Sequence, residues 1–374
     1  MNRITIALVV LLMPFACRSA LSQTPLRLLD TDWKTDFSKT TIDLSELSVN
    51  LARDGIPALS NPKTVSVRKA SGWISDQEPV ISVLVNGQAR AYPLQILIWH
   101  EIVNDDLAGE SILVTFCPLC YSALAFERTI EGANYEFGVS GMLRHSDMIM
   151  YDRQTHSLFQ QLNGTGLVGR LASKKLTPIH AQIISFMQFA DAYPNGTVLS
   201  RNTGHSRSYG QNPYPGYDDI KDRPWLFKGK IDPRLPPMEK VIGVDLNGIQ
   251  IAYPFSVTRK LNVIHDSVGG VNLVVFHSKN GAVSAMDDQH ISQSRNQGST
   301  GVFRSELDGQ TLRFEPSGSG FIDFGTKSLW DITGRAISGP MSGKSLSPLV
   351  HGDMYSFAWL TVFPNSKIYI EPGK

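Results

Sequence analysis

A chain of 374 residues with 35 basic against 34 acidic side chains carries no net field that would draw it to nucleic acid or an anionic surface, so neither is expected as a global partner. Its 42% hydrophobic content and lack of low-complexity tracts fit an ordinary globular protein, long enough for large cores and, by length, two domains. Beyond residue 22 no apolar run approaches the roughly 20 residues that span a bilayer.

Residues 1–22 read as an export signal. Arg3 supplies the positive end, residues 4–16 the apolar run, and Ala20-Leu21-Ser22 a small-x-small cleavage site, so the mature chain would start at Gln23 in the periplasm or outside the cell. Lipid anchoring at Cys17 is the alternative, disfavoured because Pro14-Phe15-Ala16 is a poor lipobox. Cleavage leaves two cysteines, Cys117 and Cys120, in a compartment where a disulfide, a redox pair and a metal site are all open.

Residues 23–72 have little periodicity and read as an N-terminal arm. VISVLV, Asn86-Gly87 and QARAYP then predict a β-hairpin, because Asn-Gly favours the tight primed turn. Residues 94–104 predict a short helix with Leu94, Leu97, Ile98 and Ile102 on one side, bearing His100 and Glu101. A strand over 112–116 leads into Cys117-Pro118-Leu119-Cys120, and YSALAFER reads as the next strand. Because a strand follows the motif where a thioredoxin-type site has a helix, that redox reading is weakened. In residues 137–161 the alternation around Met148 and Met150 predicts a two-faced strand with the methionines as core filling. Ser140, His145 and Asp147 crowd too closely to count as a triad, and Asp152-Arg153 reads as a structural ion pair.

The first half is echoed by the second. VNGQARAYP returns as LNGIQIAYP at an offset of 247 − 86 = 161, and four further blocks match in the same order. The expected fold class is therefore α+β: two tandem, internally homologous β-rich units with short helices, packed as a pseudo-symmetric body. The first unit is 73–200 and the second 241–374. Residues 201–240, with Pro213, Pro215, Pro224, Tyr209, Tyr214, Tyr217 and Trp225, form a long connecting loop that the aromatics keep packed. With one residue deleted from the second copy, Cys117 aligns with His277, so the thiols belong to the first unit alone.

Two thiols at a strand end can chelate one ion, close a disulfide or exchange electrons. A metal would need a further ligand, for which His100 is the natural candidate, and thiolate with imidazole suits copper or zinc. Glu101 falls beside Leu97 and Ile98. It is expected to be buried, either behind a ligand or in a salt bridge to Arg128 or Arg153. His277 is a remoter candidate to complete the site. The expected function is transition-metal binding through Cys117, Cys120 and His100. The alternatives are an envelope thiol-redox enzyme, and a cell-surface binding module in which a disulfide is only a staple. There is no phosphate loop, dinucleotide fingerprint or H-E-x-x-H.

AYPLQILIWHEIVNDDLAG, TFCPLCYSALAFER, FGVSGMLRHSDMIMYDRQTHSLFQQ and YGQNPYPGYDD together resemble the domain of unknown function 3179 family of exported bacterial and archaeal proteins, over residues 75–370. The resemblance implies the architecture and places the site at residues 117–120 and 99–105. It implies no activity. The family usually has Asn or a similar residue where this chain has His145, so the resemblance argues against His145 as a required ligand.

Overall fold

The computed structural model describes residues 32–371. The expected signal, residues 1–22, and Cys17 lie outside the described residues. Strand outweighs helix by 41% to 11%, a β-rich α+β fold. No helix among the described residues is long and apolar enough to cross a membrane.

The expected hairpin forms from Pro79–Val85 and Gln88–Pro93, paired from Val85↔Gln88 to Val80↔Pro93. Asn86 and Gly87 sit at φ 46° and 79°, the left-handed pair a primed turn requires and Asn-Gly supplies with least strain. The helix is shorter than expected. It covers Leu94–His100 and stops because Glu101 turns to φ 58°, ψ −32°; Ile102 and Val103, β-branched, start the strand Ile102–Leu107. That strand pairs with Glu110–Cys117, which pairs with Ser122–Glu127. A second hairpin, Phe137–Arg144 with Asp147–Asp152, turns at His145 and Ser146.

Residues 241–368 repeat this order with the same registers. Lys240–Leu246 pairs with Ile249–Pro254, the helix Phe255–Leu261 follows, and Val263–Val268, Val271–Ser278 and Ser299–Arg304 form the next sheet. Ile102↔Thr115 in the first sheet corresponds to Val263↔Phe276 in the second, at the same offset of 161. The gap in the sequence alignment is thereby corrected. His277 occupies the place of Phe116, and Ser278 that of Cys117. The amides agree, since Phe116 N–H donates to Glu101 O and His277 N–H to Asn262 O, both at 2.8 Å.

Residues 47–66 do more than lead in. Leu47–Val49, Leu59–Ser60 and Thr64–Ser66 each add an edge strand to one of the first unit's three five-stranded sheets, so the expected arm is woven into that unit and shields its edges. The main core is shared: Leu97, Phe116 and Met150 pack in one cluster with Val241, Tyr355 and Trp359. At ~1.5–3 kcal/mol for each large apolar side chain buried, this shared cluster binds the halves into one body. Met148 and Met150 fill core as expected. Asp152 accepts from Thr155 and Ser157 rather than pairing with Arg153, which bonds Asp54.

Candidate metal centre

The strand Glu110–Cys117 ends in a tight turn in which Cys120 N–H donates to Cys117 O and Tyr121 N–H to Pro118 O, both at 3.2 Å. Tyr121, at φ 56°, reverses the chain so that Ser122 pairs back with Cys117. Proline at the second position favours such a turn. The result sets both thiols, free and buried, on one side of it.

A third group arrives from 27 residues further on (147 − 120). Ligand atoms of Cys117, Cys120 and Asp147 all lie within 4.8 Å of one another. Asp147 is brought there by the second hairpin, whose turn residues His145 and Ser146 both hold left-handed φ, 52° and 71°. Backbone strain in non-glycine residues concentrates where function over-determines position. The turn also aims Ser146 O at the sulfurs, 3.5 Å from Cys120 and 3.9 Å from Cys117. Oδ2 of Asp147 accepts from Gln160 Nε2, and from Leu162 N–H at 3.1 Å. Oδ1 is buried without a hydrogen bond of normal geometry, while the Cys120 thiol lies close enough to the carboxyl to act on it as a donor.

Glu101 is the fourth acid. Only 8% exposed, its carboxylate makes no hydrogen bond or ion pair among the described residues. Arg128 and Arg153, its expected partners, instead pair with Asp106 and Asp54, each at 2.9 Å. Burial, with the charge of Asp147 nearby, pushes the Glu101 carboxyl up to about 8. Burial likewise raises Asp147 to about 6. Both thiols are raised, first by burial; Cys117 is lowered by hydrogen bonding from Cys120 and raised by the charges of Asp147 and Glu101, while Cys120 is raised further by Cys117 and Asp147. Two thiols and Asp147 therefore share one desolvated place, with Glu101 near enough for charge on it to disfavour charge on Asp147 and Cys117. They can stay neutral by holding protons, or surrender them to a cation.

The connecting loop roofs this place. Tyr217 Oη donates to Leu119 O at 3.1 Å and accepts from Trp225 N–H at 3.1 Å, and Ser146 Oγ donates to Trp225 O at 2.6 Å. The rings of Tyr217 and Trp225 lie 4.4 Å apart. Tyr214 feels the charge of Glu101 and Cys117. The packed loop expected from its aromatics is what forms.

His100 is not brought to the thiols. Its Nδ1–H donates to Pro57 O and its Nε2 accepts from Tyr209 Oη, both at 2.7 Å, so neither nitrogen is free. Burial lowers its pKa to about 4 and keeps it neutral. The left-handed turn at Glu101 sends consecutive side chains to different surroundings, His100 to Pro57 and Tyr209, Glu101 to where it feels the charge of Asp147 and its own charge acts on Cys117. His277 also lies elsewhere, its Nδ1 2.9 Å from Thr258 Oγ1. Ser140 donates to Ile149 O and His145 meets Glu46, so neither joins Asp147. Sequence reasoning missed Asp147 as a partner of the thiols. Its one visible signal was an acid opening a strand whose middle, Met148 to Met150, is apolar.

The family model described as "Protein of unknown function (DUF3179)" matches residues 53–366. No curated protein and no solved structure gives a match to this chain.

Proposed function

We propose that this chain, which belongs to the DUF3179 family of proteins of unknown function, is an exported metal-binding protein. One divalent transition ion, zinc before copper, is held by Cys117, Cys120 and Asp147, whose ligand atoms already lie within 4.8 Å of one another, and Glu101, outside that cluster but close enough to feel the charge of Asp147, reaches in as the fourth ligand when the ion binds. The observation carrying this reading is the orphaned Oδ1 of Asp147 beside two thiols, with a second unpartnered carboxylate at Glu101. A buried acceptor left bare costs ~1–3 kcal/mol, and a cation replacing the acids' protons removes that cost. Two thiolates and two carboxylates make a four-coordinate set suited to zinc; copper(I) would prefer sulfur alone. His100 is replaced by Glu101 in this ligand set.

The thiol-redox alternative is weaker. A redox-active cysteine needs a stabilised thiolate, whereas burial and neighbouring acids raise both thiols here. With Glu101 filling the fourth position, the roofed site would serve structure or metal carriage before catalysis. Export remains part of the proposal through residues 1–22, and so does an origin of the two units by tandem duplication, supported by their matched registers.

The test is to express the chain with its own leader and no metal-affinity tag, then count metal and reactive thiols together. One equivalent of zinc, with both thiols protected until a chelator is added, is the expected result, and C117S/C120S removes the metal. Wild-type protein with neither metal nor free thiol contains a disulfide and contradicts the proposal.

A further inference from the structure

We infer that the cleft between the two units is a second binding site, for a small molecule bearing a carboxylate or phosphate group. It encloses about 680 Å³, within the range of ligand pockets, and lies at a junction of units, where such pockets concentrate. The first unit contributes Ser82, Arg90, His180 and Asn195, and the second contributes Arg335 and Ser345. No aspartate or glutamate lines it.

The two arginines differ. Arg90 is neutralised by Asp105 at 2.5 Å and also donates to Thr197 Oγ1. Arg335 has no carboxylate in ion-pair contact among the described residues. Nη1 donates to Ala192 O, and its guanidinium carbon lies 5.5 Å from the ring centre of Tyr193. The nearby acid, Asp331, is bonded to Thr333 and to the Arg335 backbone N–H. The fork is thus fixed by the protein on one edge with no carboxylate bonded to it, although Asp331 feels its charge, and its free edge can take an oxyanion bidentately.

Around it, groups that could finish the contact are uncommitted. Among the described residues the side chains of Ser82, His180, Asn195 and Ser345 make no hydrogen bond to the protein, and Nε2 of His180 is buried without one. His180 packs against His351 with ring centres 5.4 Å apart, and burial holds both imidazoles neutral. A neutral imidazole, two hydroxyls and an amide offer donors to an anion and acceptors to its hydroxyls. The site is independent of the thiol centre.

Isothermal titration of the full chain with inorganic phosphate and, separately, with succinate at fixed ionic strength tests this. Saturable binding of at least one probe is expected, weakened tenfold or more in R335Q. If R335Q does not fold, S345A and N195A are read instead, with a several-fold loss expected. K344Q, changing an exposed lysine paired with Asp308, leaves affinity unchanged. Phosphate bound over succinate assigns a phosphorylated ligand, and the reverse a carboxylic acid. Saturation by neither probe overturns the inference. So does binding that none of the three cleft variants changes, which would mean an adventitious ion only.

Discussion

The two units build the same corner twice and use it differently. Each short helix ends in a left-handed residue whose N–H donates four residues back, Glu101 to Leu97 O at 2.6 Å and Asn262 to Thr258 O at 2.7 Å. Their dihedrals agree within about 5°, φ 58°, ψ −32° against φ 63°, ψ −30°. In the second unit Asn, a residue tolerant of this conformation, donates from Nδ2 to His277 O at 3.0 Å. In the first unit Glu takes the strain and gains no bond. Ser278 stands where Cys117 does, the four-residue thiol turn is replaced by residues 279–298, and the shorter hairpin Phe314–Ser317 with Gly320–Asp323 turns at Gly318 and Ser319 where the first unit has Asp147. The backbone therefore has no need of these four acids. Their presence in one unit alone is what points to a ligand.

Breaking the first site outright has the largest expected effect. C117S/C120S loses its zinc, and its melting temperature stops responding to chelator, because a structural ion contributes its binding energy to folding. A chelator-sensitive melt in the double variant would remove the thiols from the site.

A paired buried acid sharpens the contrast with the unpaired ones. Asp353, in the second unit, accepts from Thr300 Oγ1 and lies near Lys240, yet burial still raises it to about 7 from an ordinary 3.8. The folded state then keeps a proton that the unfolded chain releases, so stability falls as pH rises from about 4 to 7. The full shift is worth on the order of 4 kcal/mol. D353N removes that share of the slope in denaturant melts between these pH values, and an unchanged slope would show Asp353 ionised throughout.

Copying the second unit's solution into the first is the next step down. E101N gives the left-handed position a tolerant residue and removes a bare buried carboxyl. Metal-free E101N is expected to be about 1–3 kcal/mol more stable than metal-free wild type, while its zinc affinity falls at least tenfold. Destabilisation of the metal-free protein would mean that Glu101 serves the fold. Smallest is Y217F, which frees Leu119 O and Trp225 N–H in the roof. A loss of ~1–2 kcal/mol is expected, with faster thiol alkylation after chelation; unchanged alkylation would mean that the loop does not gate the thiols.

Much of this was legible in the sequence. Asn86-Gly87 announces its turn because few other residues accept that backbone, and the alternation around Met148 announces its strand. Cys117 and Cys120 mark the candidate site as the two cysteines outside the expected export signal. The rest depends on geometry that spacing does not carry. One left-handed residue, Glu101, turns its own side chain away from the surroundings of His100, whose ring bonds Pro57 and Tyr209. Asp147 reaches the thiols only because two sheets pack. The gap that aligned Cys117 with His277 favoured a residue match over an unbroken hairpin, which a register settles and a string of letters does not.

The most direct measurement is zinc-edge X-ray absorption on the tag-free protein. The account predicts two sulfurs at ~2.3 Å and two light oxygen ligands at ~2.0–2.2 Å, with one oxygen lost in D147N. A shell of sulfur alone, one that includes imidazole scattering, or one unchanged in D147N would contradict it.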